Sequence, residues 1–279
     1  MKKRLISWAG ILLSLAACQA TKYGTFVQLP DLLKGQITGT QFIEKVKNLS
    51  ARQQDSLIVR TILRGNIPDF LRKFVKVETS IQDTSGRAIK AFYYVSPDYL
   101  AIGTDADWVR MPMTPQAAQA IADSLGCFLP TRKISNDIFK AARVYLEPQP
   151  LTKDRENPLT FLEHHQLIEK QRNGQRGLIV GIKKDVVLSS QISKSAKPNR
   201  VAIYGWHYPS GKPIQPLYVG HVDWYVDYSH GIRLVYHQIW VDKKPLSYQE
   251  VLADSVLRPL LCDEADCSFW RYGKGAEKQ

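Results

Sequence analysis

The apolar residues of this chain change their spacing along the sequence, and that change most restricts the fold it can adopt. Between residues 40 and 63 they recur every three or four positions, which predicts two helices. From Val75 to Met111 the spacing is two, with turn residues between the runs, which predicts an antiparallel meander. Helical spacing then returns, and strands at 178–241 precede a last helix capped by Ser247. Helices and antiparallel strands segregated in this way are typical of an α+β fold.

Capping residues place the boundaries of the later elements. Thr114 and Pro115 predict the start of one helix, and Thr131 caps the next. Thr160 and Glu163 have the pattern of a capping box for a third helix. The strands predicted after it are Leu178–Ser189, Arg200–Trp206, Ile214–Asp227 and Ile232–Val241.

A charged segment at 151–158, flanked by prolines, predicts an internal boundary. Residues 40–150 are expected to form a part made of helices and the meander. Residues 151–279 are expected to form a sheet part that holds the aromatic and histidine cluster. The two parts form either separate domains or one continuous domain.

The N-terminus has the pattern of an export signal. Three basic residues at 2–4 precede an apolar stretch at 5–17, which is too short for a stable transmembrane helix. We therefore predict that residues 1–17 are a signal peptide.

The apolar stretch ends in Leu15-Ala16-Ala17-Cys18, which resembles the lipobox of bacterial lipoproteins. The resemblance implies that Cys18 becomes the mature N-terminus and carries acyl chains such as palmitate. Residues 18–39 are then expected to form a tether between the membrane and the folded part. The predicted location is the bacterial cell envelope, facing the periplasm or in the outer membrane.

The positive charge of the chain fits this location. Lys and Arg number 38 against 26 Asp and Glu, a formal charge of +12, and loss of the three basic residues of the signal would lower it to +9. An exported protein does not meet cytosolic nucleic acid, so we expect no nucleic-acid partner. The remaining charge favours contact with anionic envelope polymers and lipid head groups.

Three cysteines remain beyond the expected anchor. Cys262 and Cys267 are separated by four residues and are close enough for a local disulfide, although the spacing alone leaves the pairing open. If they pair, Cys127 is a free thiol. An unpaired cysteine in an exported protein is a candidate nucleophile or a buried apolar residue.

Four of the six histidines lie between positions 207 and 237, in the most aromatic part of the chain. The predicted strand Ile214–Asp227 would place His221, Asp223 and Asp227 on one face because side chains alternate along a strand. His230 follows in a turn. Two other features have simpler interpretations: the helical pair at 164–165 is expected on a solvated face, and the adjacent lysines at 183–184 either guard an edge strand or contact a ligand.

The first functional hypothesis is a cysteine hydrolase. Cys127 would be the nucleophile, His221 or His230 the base, and Asp223 or Asp227 the group that orients the imidazole. This order resembles that of papain-like cysteine peptidases, especially the bacterial endopeptidases and amidases of the cell wall. The resemblance implies hydrolysis of amide bonds in peptidoglycan or peptides, with no cofactor. Residues expected to contact the substrate are Trp206, His207, Trp224, Tyr228 and Arg233.

Two alternatives remain open. His207, His221 and His230 could bind zinc together with the neighbouring aspartates and form a metal-dependent hydrolase. The aromatic residues could instead form the ligand cleft of an envelope binding protein without catalytic activity. The segments LGCFLPTRK (125–133) and DYSHGIRL (227–234) also resemble an uncharacterised family of secreted proteins, which implies no particular activity.

Overall fold

The computed structural model of the chain describes residues 23–24 and 35–273. The predicted signal peptide and Cys18 lie outside these residues. No helix in the described ranges is long and apolar enough to cross a membrane. The seven α-helices of this part are α1 Gly39–Val46, α2 Ala51–Leu63, α3 Pro115–Ser124, α4 Arg132–Ala141, α5 Pro158–Arg172, α6 Gln191–Lys194 and α7 Tyr248–Ala253.

Strands form the rest of the regular structure. The first eight are β1 Tyr23–Gly24, β2 Phe74–Gln82, β3 Ala88–Val95, β4 Ala101–Gly103, β5 Trp108–Arg110, β6 Cys127–Phe128, β7 Val144–Tyr145 and β8 Ile179–Val180. The others are β9 Lys184–Val187, β10 Ala202–His207, β11 Pro213–Tyr218, β12 His230–Gly231, β13 Val235–Tyr236, β14 Gln238–Val241 and β15 Lys244–Ser247.

Two larger sheets organise the molecule. In the first, the order is β1-β2-β3-β13-β6, and β14 pairs with both β3 and β15. In the second, the order is β11-β10-β9-β12, with β12 parallel to β9 and the other pairs antiparallel. The first sheet and the main hydrophobic core both take residues from either side of position 151. The α+β prediction is confirmed.

Local capping explains where several helices begin. The Thr114 hydroxyl accepts the Ala117 N–H at the start of α3, and Thr131 plays the same role for α4. Helix α7 begins with the capping box of Ser247 and the residue three positions later. Helix α5 differs from the prediction, because Asn157 rather than Thr160 is its cap.

The predicted strand Ile214–Asp227 is wrong in its second half. Strand β11 ends at Tyr218, which already pairs with Ile203 near the start of β10. Between Tyr218 and Asp227 the only β contact in the described residues is the single bridge between Arg200 and Val222. A chain without a neighbouring strand cannot continue a ladder, so its backbone turns instead. The predicted alternation of His221 and the aspartates on one face is therefore lost.

The long strands predicted at 178–189 and 232–241 are also interrupted. In the first, Gly181 has a positive φ of 87°, and a Cβ there would overlap the carbonyl oxygen of Leu146. Only glycine tolerates this close approach. The interruption separates the short strand β8 from β9, and β9 consequently reaches a different sheet.

A buried ion pair lies where the two halves of the chain meet. Arg110 on β5 donates from Nε and Nη2 to both carboxylate oxygens of Asp98, at 2.8 and 2.6 Å. Its Nη2 also reaches Glu169 on α5 at 2.8 Å, and its Nη1 donates to Nδ1 of His165 at 3.2 Å. The guanidinium lies over the ring of Trp108. All three nitrogens of the guanidinium therefore have hydrogen-bond partners, as a buried charge requires.

Replacing Arg110 by Ala is expected to lower the free energy of unfolding by about 3–5 kcal/mol, because Asp98 would remain buried without its partner. Urea denaturation followed by tryptophan fluorescence measures the change. The matched control is Arg271→Ala, which removes an exposed ion pair with Asp123 and should cost no more than about 1 kcal/mol. Equal losses in the two variants would contradict the structural role of Arg110.

Candidate functional site

A cluster of ionisable residues gathers at the edge of the second sheet, around strand β12. His230 pairs in register with Lys184 of β9, so the two side chains leave neighbouring strands side by side. Asp227 precedes β12 by three residues, and Arg155 and Tyr225 reach its carboxylate from two loops. We call these five residues the His230 site.

The Asp227 carboxylate accepts four hydrogen bonds. Its Oδ1 accepts the backbone N–H and the hydroxyl of Ser229, at 2.8 and 2.5 Å. Its Oδ2 accepts from Nη2 of Arg155 at 2.6 Å and from the Tyr225 hydroxyl at 3.1 Å. Burial opposes ionisation, but His230, the Ser229 hydroxyl and the two cations of the site together lower the pKa of Asp227 well below its ordinary value. The side chain therefore stays charged although it is fully buried.

The imidazole of His230 is buried and neutral at neutral pH. Burial lowers its pKa from 6.5 to about 4, against the opposing effect of the Asp227 charge. Its Nε2 is buried without a hydrogen-bond partner and lies 4.0 Å from Oδ1 of Asp227. A neutral imidazole can accept a proton, and the neighbouring carboxylate would stabilise the resulting cation.

Lys184 brings a partly desolvated ammonium group to the site. The side chain is 7% exposed, and its Nζ lies 5.5 Å from the centre of the Trp206 ring. Burial lowers its pKa. Trp206 itself has a φ of 54°, directly after Gly205 at 99°, where the pairing of β10 with β11 is irregular. A large side chain in this conformation costs free energy, and such strain is concentrated at functional sites.

Three rings form the solvent side of the site. The His221 ring stacks on Tyr225 at 4.7 Å, and its centroid is 6.0 Å from that of His230. Tyr218 contacts His221 edge to face at 5.2 Å and is 44% exposed. A ligand approaching His230 from solvent would meet these rings first.

The structure brings together only some of the predicted site residues. His221, Asp227, His230 and Trp206 lie in or beside the His230 site. Asp223 does not, because its carboxylate accepts a hydrogen bond from Gln116 on α3. Its predicted role as an orienting group gains no support from this geometry.

The remaining predicted substrate contacts have other environments. Tyr228 is buried, and its hydroxyl bonds both backbone groups of Leu151. Arg233 is fully buried and donates to the carbonyl oxygens of Ser96 and Ile179. Trp224 is 61% exposed, and its ring contacts none of the rings of the His230 site.

Cys127 lies in the first sheet, where β6 pairs with β13. Its thiol is 4% exposed and contacts the carbonyl oxygen of Leu125 at 3.5 Å. Burial raises the pKa of this thiol well above its ordinary value. Within the described residues no hydrogen bond joins Cys127 to His221 or His230. The other two cysteines, Cys262 and Cys267, form the predicted disulfide.

The proposed zinc ligands do not converge. His207, at the end of β10, contacts Phe139 of α4 and Tyr204 of β10, whereas His221 and His230 line the site described above. Across the described ranges no group of three histidine, cysteine or acidic side chains is arranged to hold a metal ion.

Two predictions about charged and polar pairs are corrected. Lys183 and Lys184 are both buried, and β9 lies between β10 and β12, so these lysines do not guard an edge strand. Lys183 instead donates to the carbonyl oxygen of Tyr228 and lies 3.4 Å from Nδ1 of His164. His164 and His165 are buried as well, not solvated.

Sequence reasoning left Lys184 open between an edge-strand role and a ligand contact, gave Tyr225 only as one of the aromatic residues of a possible ligand cleft, and missed Arg155. One signal was available for the first of them, since two adjacent lysines inside an apolar strand must either lie at an edge or serve a buried function. Arg155 gave no signal, because it lies in a polar loop 72 positions from its partner Asp227.

The thiol of Cys127 is expected to resist iodoacetamide in the folded protein at neutral pH, because burial excludes both the reagent and the thiolate. Peptide mapping by mass spectrometry after labelling measures the modification. Labelling in urea is the control and should modify Cys127 fully. Rapid modification of the folded protein would instead support a reactive thiol.

The pKa of His230 makes stability depend on pH. The unfolded state gains a proton on this residue as the pH falls below 6.5, whereas the folded state gains it only near 4. Acid therefore favours unfolding, and this residue alone should remove about 2 kcal/mol of stability between pH 7 and pH 5. We expect His230→Gln to weaken the pH dependence of urea denaturation by that amount. An unchanged dependence would show that His230 titrates normally in the folded state.

No family model, characterised protein or solved structure matches the chain. A function for the protein therefore has to come from the contacts of its own residues. The His230 site combines a buried neutral imidazole with an ionised carboxylate and is the candidate functional site.

Proposed function

We propose that the protein is an exported, lipid-anchored protein of the cell envelope that hydrolyses amide bonds at the His230 site. The observation that carries the proposal is the buried, neutral imidazole of His230, whose Nε2 has no hydrogen-bond partner and lies 4.0 Å from an ionised carboxylate. A base of this kind, next to a fixed negative charge, is the arrangement that general acid-base catalysis uses. The lipobox-like sequence at Cys18 supports the location.

In the proposed reaction, water is the nucleophile. The water oxygen bonds to the amide carbon while His230 takes one of the water protons. The positive charge on the imidazole is stabilised by Asp227, which keeps its own charge because Arg155 and Tyr225 hold it. The C–N bond then breaks, and His230 returns the proton to the leaving amine. The products are an amine and a carboxylic acid, which loses its proton to solvent, and the site regains its starting state.

Lys184 has the position of an electrostatic partner for the developing oxyanion. Its pairing with His230 in the register of β9 and β12 fixes the ammonium close to the base. A cation in a partly desolvated site stabilises negative charge far more than it would in water. Arg155, whose side chain is 40% exposed, offers a second positive group nearer to solvent, which favours peptides that carry carboxylates.

Water is preferred to the Cys127 thiol as the nucleophile in this proposal. The thiol is buried in the other sheet, and burial raises its pKa, so little thiolate exists at neutral pH. Zinc is likewise not needed for the proton transfers described, which depend only on the residues of the His230 site.

A second candidate is a binding protein without catalytic activity. It is favoured by one specific observation, the exposed Tyr218 ring beside His221 and Tyr225. Such rings can stack on sugars or on peptide side chains. In that case His230 would only add a hydrogen bond to the ligand.

Replacement of His230 by Gln separates the two candidates. Peptidoglycan fragments with intact stem peptides serve as the substrate, and mass spectrometry detects the new amine and carboxylate ends. We expect kcat to fall by about 10² to 10⁴ with a nearly unchanged KM, because the base acts in the transition state. The control is His237→Gln, which changes a half-buried histidine in the bend between β13 and β14.

Full activity of His230→Gln would refute the catalytic role. Binding of the fragments by calorimetry, without any cleavage by the unaltered protein, would favour the binding function instead. Loss of activity in both histidine variants would indicate damage to the fold, which urea denaturation of each variant reveals.

A further inference from the structure

A pocket of about 430 Å³ opens beside the C-terminal end of α5 and shares no residue with the His230 site. Phe70 and Trp108 form an apolar wall, with ring centroids 4.9 Å apart in an edge-to-face arrangement. Lys73, Arg172 and Arg176 bring cationic side chains to the same space. We call these five residues the Trp108 pocket. Its volume is typical of sites for small molecules.

The acidic residues that line the pocket are already engaged. Asp98 is buried and bound by two nitrogens of Arg110. Asp105 accepts the backbone N–H of Asp69 at 2.7 Å. The charge of Asp98 is therefore balanced by Arg110, and Asp105 offsets no more than one of the three cations that the lysine and the arginines bring.

The cations of the pocket are less fully engaged. Neither Lys73 nor Arg176 has a side-chain hydrogen bond or ion pair with any described residue. Arg172 lies 5.4 Å from the centre of the Trp108 ring and has its Nε 3.1 Å from Oε2 of Glu169. That N–H lacks the direction of a hydrogen bond and is buried without a hydrogen-bond partner, although it lies next to the Glu169 carboxylate. A buried donor of this kind gains free energy when it meets an acceptor.

We propose that the Trp108 pocket binds a small organic anion, which places a carboxylate or phosphate group against Lys73, Arg172 and Arg176 and a flat apolar body against Phe70 and Trp108. Arginine is suited to both anionic groups, because its planar guanidinium donates two parallel hydrogen bonds. The rings remove the apolar body from water. The same pocket therefore has cationic side chains for the anionic group of the ligand and aromatic rings for its apolar body.

The position of Arg172 links this pocket to the buried ion pair. Glu169 lies one turn earlier on α5 and contacts both Arg172 and Arg110. A ligand that holds Arg172 in place would therefore stabilise the contact between α5 and β5. Because a ligand bound only by the folded state raises its stability, binding should be accompanied by a higher Tm.

Calorimetry with three probes of similar size tests the proposal. Benzoate and phenyl phosphate carry the two anionic groups on a flat ring, and benzyl alcohol is the neutral control. We expect both anions to bind, and to raise Tm, while benzyl alcohol binds at least tenfold more weakly. The stronger of the two anions identifies whether the natural group resembles a carboxylate or a phosphate.

Replacement of Arg176 by Gln is expected to weaken the binding of the preferred anion about tenfold. Arg52→Gln is the matched control, since Arg52 is an exposed arginine on α2 outside the pocket. Both residues are exposed, so neither change should prevent folding. The double variant Lys73→Gln, Arg176→Gln should lower the affinity further and leave the activity of the His230 site unchanged.

Three results would overturn the proposal. They are the failure of both anions to bind, equal binding of benzyl alcohol, and equal affinities of the Arg176 and Arg52 variants.

Discussion

The buried ion pair of Asp98 and Arg110 is the contact around which the rest of the structure is arranged. Its guanidinium joins β5 to the loop after β3 and, through Glu169 and His165, to helix α5. Removing two charges from water costs several kcal/mol, and only a complete set of partners compensates for that cost. The side chains around Arg110 must therefore stay in fixed positions. A hydrophobic contact of the same area would accept many more arrangements of these three elements.

Helix α5 connects this ion pair to the second sheet. His165 faces Arg110, and the residue before it, His164, faces Lys183 next to strand β9. Burial, together with the nearby Lys183 and Arg110, lowers the pKa of both imidazoles, so they are neutral acceptors for the N–H groups of these two side chains. Lys183, the residue before β9, contacts Tyr228 and His164, whereas Lys184, the first residue of β9, lies near the ring of Trp206. One lysine completes the interior network, and the other enters the His230 site.

Local signals in the sequence were sufficient for much of the fold. The caps at Thr114, Thr131 and Ser247 and the alternation in β2 and β3 depend on residues within a few positions of each other, and the structure confirms them. The errors have a different origin. The strand predicted to reach Asp227 failed because no partner strand lies beside it, and partners are set by the whole chain. The burial of His164 likewise depends on a lysine 19 positions away, which no helical period reveals. For the site, the sequence showed which residue types cluster but not that Cys127 belongs to the other sheet.

Strand β1 has a consequence for how the protein could sit on a membrane. Tyr23 pairs with Val75, so the sheet begins within the segment predicted to be a tether. Only four residues separate Tyr23 from Cys18. The five Cα–Cα steps from Cys18 to Tyr23 span at most about 18 Å. A lipid on Cys18 would then hold the edge of the first sheet within little more than a head-group layer of the bilayer, so the protein would work on material at the membrane surface and could not reach across the envelope.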